Sequence, residues 1–320
     1  MSLNEDYIIL PSKTSFVIEK LKKARRLIGA VLFIASIYFI SYMLSANWDN
    51  IIPAISDFSV STLSIAILAS LLMLFFKGIY NERIISALNG DNRFNFHILY
   101  SYSISQLIRY IPGKIWGVLY QGLHLNGIIP MQVITAGNIL QYIFTNLFSL
   151  LIIVSIASIY FKLEIVSLII FLFSIFMLRY LHNSTFFSRY IMNKLEQVTQ
   201  KEKCTSSPIK AEFSVTLLLL DWVFYIAIWA IILPGTADSM DFIYLSALYA
   251  SASLMSLIAV FSPGGLAVRE ALFFFLGSYL GYNEESLLTY GLLLRLILTF
   301  SEILFALILS ALKRIFYADR

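Results

Sequence analysis

Apolar residues fall in long blocks separated by short polar stretches. Six blocks, about residues 27–46, 58–78, 131–160, 165–181, 213–233 and 286–311, are almost free of charge. An α-helix rising 1.5 Å per residue needs about 20 residues to cross ~30 Å of hydrocarbon, so each block predicts a membrane span. A membrane β-barrel would alternate polar and apolar positions over ~10-residue segments, and LLLLDWVFYIAIWAII at 217–232 does not alternate. The chain is therefore expected to be an all-α, polytopic integral membrane protein.

Two regions remain, 94–130 and 242–282. Each carries a Pro-Gly break in its middle, IPGKIWG at 111–117 and SPGGLAV at 262–268. Basic residues supply the orientation. They gather in KKARR before the first block, in Lys77, Arg83 and Arg93 after the second, between Arg179 and Lys210, and in Lys313, Arg314 and Arg320 at the end. By the positive-inside rule these segments face the cytoplasm. SANWDNIIPAISDF and PGTADSMD, which hold no Lys or Arg, face the other side. Region 94–130 must then start and finish inside, and region 242–282 must start and finish outside. Each is expected to be a re-entrant or helix-break-helix hairpin.

The pieces group as span, span, hairpin, span, twice over, with every direction reversed in the second set. This is the order of an inverted repeat, and it rests on counting directions more than on similarity between the two breaks. The expected organisation is a cytoplasmic segment 1–26, a first membrane repeat 27–160, and a span with a cytoplasmic polar loop through 161–212. The remainder of the second repeat, 213–311, and a cytoplasmic tail 312–320 follow. Within the polar loop 182–212, RYIMNKLEQVTQKEK reads as a solvated connector or a short amphipathic helix on the cytoplasmic leaflet.

Composition agrees with this picture. The chain is 59% hydrophobic and 13% charged, against about a quarter charged in soluble proteins. A formal net charge of +4 lies at span ends rather than on one face, so nucleic acid is not an expected partner. Cys204 is the single cysteine, which excludes an internal disulfide. His97, His124 and His182 lack metal-ligand spacing, and no metal or cofactor is expected. About 26 mostly polar residues precede the first block, so the first span is not expected to be a cleaved signal.

Chemistry concentrates at the two breaks. Proline removes an amide donor, and open backbone cannot face lipid, so each break must be buried in protein or line a wet cavity. After Pro263, the amides around Gly264 and Gly265 can begin a helix whose positive end suits a phosphate or carboxylate. Pro112, Gly113 and Lys114 offer the same arrangement with a cation added. Arg109 and Arg269 lie beside the breaks, and Arg295 lies within the last span. A buried arginine or lysine costs ~3 kcal/mol on insertion scales, so these cations are expected to face the interior with partners. Glu270, Glu302 and Asp221 are the acidic candidates, with Arg295 and Glu302 two turns apart on one helical face. Interhelical pairing without any ligand is the plainer alternative. Enzyme motifs are thin: no histidine stands near a nucleophile and acid, and no P-loop, HExxH or span-end acidic pair occurs.

SPGGLAVREA followed by an apolar helix resembles the flippase-like transmembrane region of the lysylphosphatidylglycerol synthase family. The family motif, Pro-Gly-Gly-x-Gly-x-x-Glu, is matched at Pro263, Gly264, Gly265 and Glu270. Arg269 fits the arginine often found before that glutamate, IPGK at 111–114 looks like the family's earlier break, and Arg295 falls where its last long helix often has an arginine. Ala267 and Phe261 depart from the usual third glycine and second proline. The resemblance implies lipid handling: binding an anionic phospholipid or a polyprenyl-phosphate-linked glycan in the cell membrane and assisting its translocation between leaflets. It also implies envelope-biosynthesis enzymes as possible partners. The soluble aminoacyl-transfer domain of the larger synthases has no counterpart in these 320 residues. An integral-membrane transferase with a lipid-linked substrate, or a non-catalytic envelope-assembly scaffold, are the alternative functions.

Overall fold

The computed structural model describes residues 58–91, 93–108, 116–183, 211–233, 240–257 and 268–317, with Ser45 and a few positions between 186 and 194. The expected first span, 27–46, lies outside these residues, as do Arg109, Pro112, Gly113, Lys114, Pro263, Gly264 and Gly265. Among the described residues the protein is all-helical, without a strand.

The helices are α1 (Val60–Leu88), α2 (Phe96–Ile108), α3 (Trp116–His124), α4 (Met131–Tyr160), α5 (Glu164–Asn183), α6 (Ala211–Ile232), α7 (Asp241–Met255), α8 (Val268–Tyr279) and α9 (Glu284–Tyr317). Five of them, α1, α4, α5, α6 and α9, are long and apolar enough to cross a membrane. They correspond to five of the six apolar blocks. This is an all-α membrane protein.

Local chemistry sets the helix ends. Ser59 caps α1 by accepting a hydrogen bond from the Thr62 amide at 3.1 Å. Asn283 does the same for α9, accepting from the Ser286 amide at 3.0 Å. Acidic residues stand in the first turns of α5, α7, α8 and α9, where the helix dipole favours them.

One boundary differs from the sequence expectation. The second block was expected to end near 78, with Lys77 and Arg83 toward the cytoplasmic loop, but α1 continues unbroken to Leu88. The reason is that its charges find partners inside the protein. Lys77 Nζ lies 3.5 Å from Asp221 Oδ1 on α6, and the Arg83 guanidinium sits 5.2 Å from the centroid of the Phe213 ring. Glu82, fully buried, accepts from Ser86 Oγ at 2.8 Å and from the Asn95 amide at 2.9 Å, tying α1 to the start of α2. With Phe76 stacked on Phe224, these contacts also show that α1 and α6 run antiparallel.

The described parts of both leftover regions are pairs of packed helices. α2 packs against α3 and α7 packs against α8. Their ends come together: Tyr100 and His124 rings are 5.2 Å apart at the mouth of the first, and Tyr282 donates to Asp241 at 3.5 Å at the mouth of the second. Burial, and then Asp241, push the Tyr282 phenol above its usual value, so it stays a donor.

α7 lies on α4, and α2 lies on α9. α1 and α6 make the central crossing. Small residues permit close approach, as expected where lipid offers no hydrophobic drive between helices. Gly78 meets Leu99 and Tyr102, Gly137 meets Ile85, and Gly122 and Gly277 meet Met131 and Leu287 in the first turns of α4 and α9. The turns leading into α4 and α9 each use a glycine at positive φ, Gly127 at 83° and Gly281 at 86°.

Candidate functional site

Arg269 and Glu270 occupy the first turn of α8, directly after the second Pro-Gly break. Arg269 is partly buried and Glu270 buried, with side-chain exposures of 14% and 6%. Arg269 Nε and Nη2 each lie 3.5 Å from Glu270 Oε1. The same oxygen accepts from the Tyr249 hydroxyl at 3.4 Å. These contacts are long beside the ~2.8 Å of a strong charge-assisted hydrogen bond. Glu270 Oε2 is buried and accepts no hydrogen bond among the described residues.

Aromatic rings form the floor beneath the pair. The guanidinium of Arg269 lies 5.1 Å from the Tyr249 ring centroid. Tyr249 of α7, Trp229 of α6 and Phe273 of α8 contact one another at centroid separations of 5.1 to 5.8 Å, and all three are fully buried. Such pairs contribute about 0.5–1.5 kcal/mol each beyond their area, which fixes the start of α8 against α6 and α7. A Cβ at Gly291 on α9 would come 3.2 Å from Phe273, so a small residue there gives the ring its room. Tyr225 donates to the Ser246 carbonyl at 3.3 Å and lies within electrostatic reach of Tyr249, Arg269 and Asp221.

Of the residues singled out from sequence, Arg269 and Glu270 are therefore brought together. Asp221 is buried and its partner is Lys77; Tyr225 lies within electrostatic reach of both Asp221 and Arg269. Arg295 and Glu302 are both buried on α9 and make polar or electrostatic contacts within the protein. The break residues themselves, Pro263, Gly264, Gly265, Pro112, Gly113 and Lys114, with Arg109, fall outside the described residues.

Sequence reasoning missed a buried ladder of amides in the first half. Asn81 Nδ2 donates to Gln141 Oε1 at 2.6 Å, Gln121 Nε2 donates to Asn81 Oδ1 at 3.0 Å, and Asn138 Nδ2 donates to Gln121 Oε1 at 2.7 Å. Gln141 also reaches the Lys77 carbonyl at 3.3 Å and the Tyr102 hydroxyl at 3.5 Å. The ladder joins α1, α2, α3 and α4. Its sequence signal was Asn138 and Gln141, three apart in an otherwise apolar block and so on one helical face. A second missed pair is Tyr80 with His182: Nδ1 of the imidazole takes the Leu178 carbonyl at 2.8 Å, leaving Nε2 to accept from the phenol at 2.9 Å.

A third cluster closes the mouth of the first hairpin. Lys313 of α9 lies 4.3 Å from the Tyr100 ring centroid and its Nζ is 3.2 Å from His124 Nε2. Tyr120 stacks on His124. Burial, then Lys313, then His97 push the His124 imidazole below its usual value, so Nε2 is an acceptor for the ammonium.

No protein-family model matches the chain, and no curated protein matches it. The site is thus argued from its own chemistry.

Proposed function

We propose that this protein binds an anionic lipid headgroup and assists its movement between leaflets of the cell membrane, as a flippase-like transporter of two inverted halves. The observation that carries this reading is the Arg269–Glu270 pair, buried on an aromatic floor at the start of the helix that follows Pro263, Gly264 and Gly265. A cation held where new helix amides begin favours phosphate, and a lipid phosphate is the anion a membrane-embedded site meets.

The reciprocal packing supports the inverted repeat. Exchanging the halves carries α7 on α4 into α2 on α9, α7 on α6 into α2 on α1, and α8 on α9 into α3 on α4, all of which occur. Gly122 with Gly127, and Gly277 with Gly281, have the same roles before α4 and α9. Once the hairpins are paired, sequence similarity emerges as well: SYSISQLI at 101–108 and SASLMSLI at 251–258 align at Ser101 and Ser251, Ser103 and Ser253, Leu107 and Leu257, and Ile108 and Ile258. Contacts Gly78–Leu99 and Trp229–Tyr249 then stand at matching places. The hairpins are re-entrant under this reading, the first from the cytoplasm and the second from outside, with both termini cytoplasmic.

The headgroup belongs to an anionic phospholipid or a polyprenyl-phosphate-linked glycan, in keeping with the resemblance to the lysylphosphatidylglycerol synthase transmembrane region. The test is leaflet exchange of fluorescent phosphatidylglycerol and of a polyprenyl-phosphate analogue in proteoliposomes. The unmodified protein should exchange at least one of them, and Arg269→Ala should lose that exchange while folding and inserting normally. Full activity in folded Arg269→Ala would refute the assignment.

A further inference from the structure

Glu270 is buried beside a partly buried Arg269, with Nε and Nη2 of the guanidinium each 3.5 Å from Oε1. Bringing a phosphodiester to Arg269 adds one negative charge beside that carboxylate. In a low-dielectric surrounding, two anions on one cation leave a charge uncompensated, which is costly, so the local balance must be restored.

Glu270 cannot restore it by swinging out. It is 6% exposed, is fixed to the first turn of α8, and is enclosed by Tyr249 and Arg269. Its Oε1 receives every described contact, and its Oε2 is buried without a hydrogen-bond partner among the described residues. The long 3.5 Å contacts to Arg269 are the ones an incoming phosphate would replace.

We propose that Glu270 is a proton-binding site coupled to the anion at Arg269: one proton joins Glu270 Oε2 as the phosphodiester displaces the carboxylate from the guanidinium. This rests on the lipid-headgroup reading and adds a coupling ion to it. The step balances, since the carboxylate becomes a neutral acid, the arginine exchanges one anion for another, and no bond breaks in the lipid. Tyr249 continues to donate to Oε1.

Other ionisable groups on the packed helices do not replace Glu270 in this role. On α7, Tyr249 already donates to it, and Asp241 and Tyr244 stand at the opposite, outer end with Tyr282 and Tyr160. On α9, Arg295 and Glu302 are buried and each makes contacts within the protein, Glu284 and Glu285 lie in the first turn, Glu284 accepting from Ser278, and Lys313 and Arg314 lie at the far end, Lys313 against His124. On α6, Tyr225 holds the Ser246 carbonyl and Asp221 holds Lys77.

Proton uptake can be read calorimetrically, by titrating the purified full chain with short-chain phosphatidylglycerol in two buffers of different protonation enthalpy. Phosphatidylglycerol carries a fixed single charge near neutral pH, so any proton taken up belongs to the protein. Farnesyl phosphate and inorganic phosphate form parallel arms that separate a phospholipid from a polyprenyl phosphate and from the free anion. About one proton per bound lipid is expected, with affinity falling about tenfold per pH unit on the alkaline side of the transition. Glu270→Gln should abolish the uptake, flatten that pH dependence and bind at neutral pH as the unmodified protein does at low pH. Binding by the unmodified protein without proton uptake and without pH dependence would overturn the coupling and leave the headgroup reading standing. Uptake that persists in Glu270→Gln would overturn the assignment to Glu270, and absence of binding by every probe at every pH would overturn both.

Discussion

Replacing Asn81 with leucine tests whether the amide ladder holds the first hairpin in place. Asn81 is fully buried and makes two of the ladder's bonds, giving a hydrogen to Gln141 Oε1 at 2.6 Å and accepting one from Gln121 Nε2 at 3.0 Å. Leucine has nearly the same shape, so the cavity contribution is small. What remains is one acceptor and one donor left buried, on two residues that are themselves 8% and 0% exposed. An orphaned buried polar group costs about 1–3 kcal/mol, while hydrogen bonds between membrane helices average nearer 0.6 kcal/mol. Two such losses bracket the effect between about 1 and about 5 kcal/mol, with a centre near 2–3 kcal/mol. Asn138→Leu is the internal standard. It removes one interhelical bond, to Gln121 Oε1, and its other bond is to the Ile134 carbonyl of its own helix. Its cost should be about half. Reversible unfolding in mixed detergent micelles, followed by the fluorescence of the buried Trp222 and Trp229, gives both numbers. Asn81→Leu within 0.5 kcal/mol of the unmodified protein, or equal to Asn138→Leu, would refute the reasoning.

Three further outcomes are expected. Gly127→Ala and Gly281→Ala should each lose about 1–2 kcal/mol by the same unfolding measurement, because both occupy positive φ with open space around them and the cost is backbone strain alone. The contact of α3 with α9 should loosen as pH falls below the ordinary imidazole value of about 6.5, since the folded protein holds His124 below that value and stabilises it only while neutral; hydrogen exchange of residues 116–127 should rise toward acid, and Lys313→Gln should flatten the rise. Asp221→Asn should destabilise by roughly 2–3 kcal/mol by leaving Lys77 without its counter-charge, and Lys77→Met combined with Asp221→Leu should recover most of the loss on the same denaturation curve.

The spans were legible because length and apolarity are read directly against the thickness of a membrane. α4, α5, α6 and α9 fall within a few residues of their blocks. α1 was not legible beyond residue 78, because Lys77, Glu82 and Arg83 look like loop residues until Asp221, Asn95 and Phe213 are seen beside them. The ends of region 242–282 meet at the Tyr282–Asp241 contact, a pairing across 41 residues that no local pattern shows. Adjacent Arg269 and Glu270 could be singled out by charge within an apolar stretch. Their floor could not: Tyr249 and Trp229 belong to a class of residues expected at membrane interfaces, and only the packing of α6, α7 and α8 shows them buried. The amide ladder was hidden for a related reason, since each Asn or Gln is neutral and its partner lies 17 to 60 residues away.

The helix pairs α2–α3 and α7–α8 differ in chemistry. Against the first stands a set of amides that satisfy one another, Asn81, Gln121, Asn138 and Gln141. The second is held by aromatic contacts and by an ion pair with long separations and one carboxylate oxygen without a hydrogen-bond partner among the described residues. Aromatic packing can keep the helix in place while the polar contacts are exchanged, which is what a site that binds and releases an anion requires. α8 packs on α9, and α9 carries Lys313 to His124 at the end of α3. Under the proposed function, α9 therefore touches both the helix of the anion site and the end of the first helix pair.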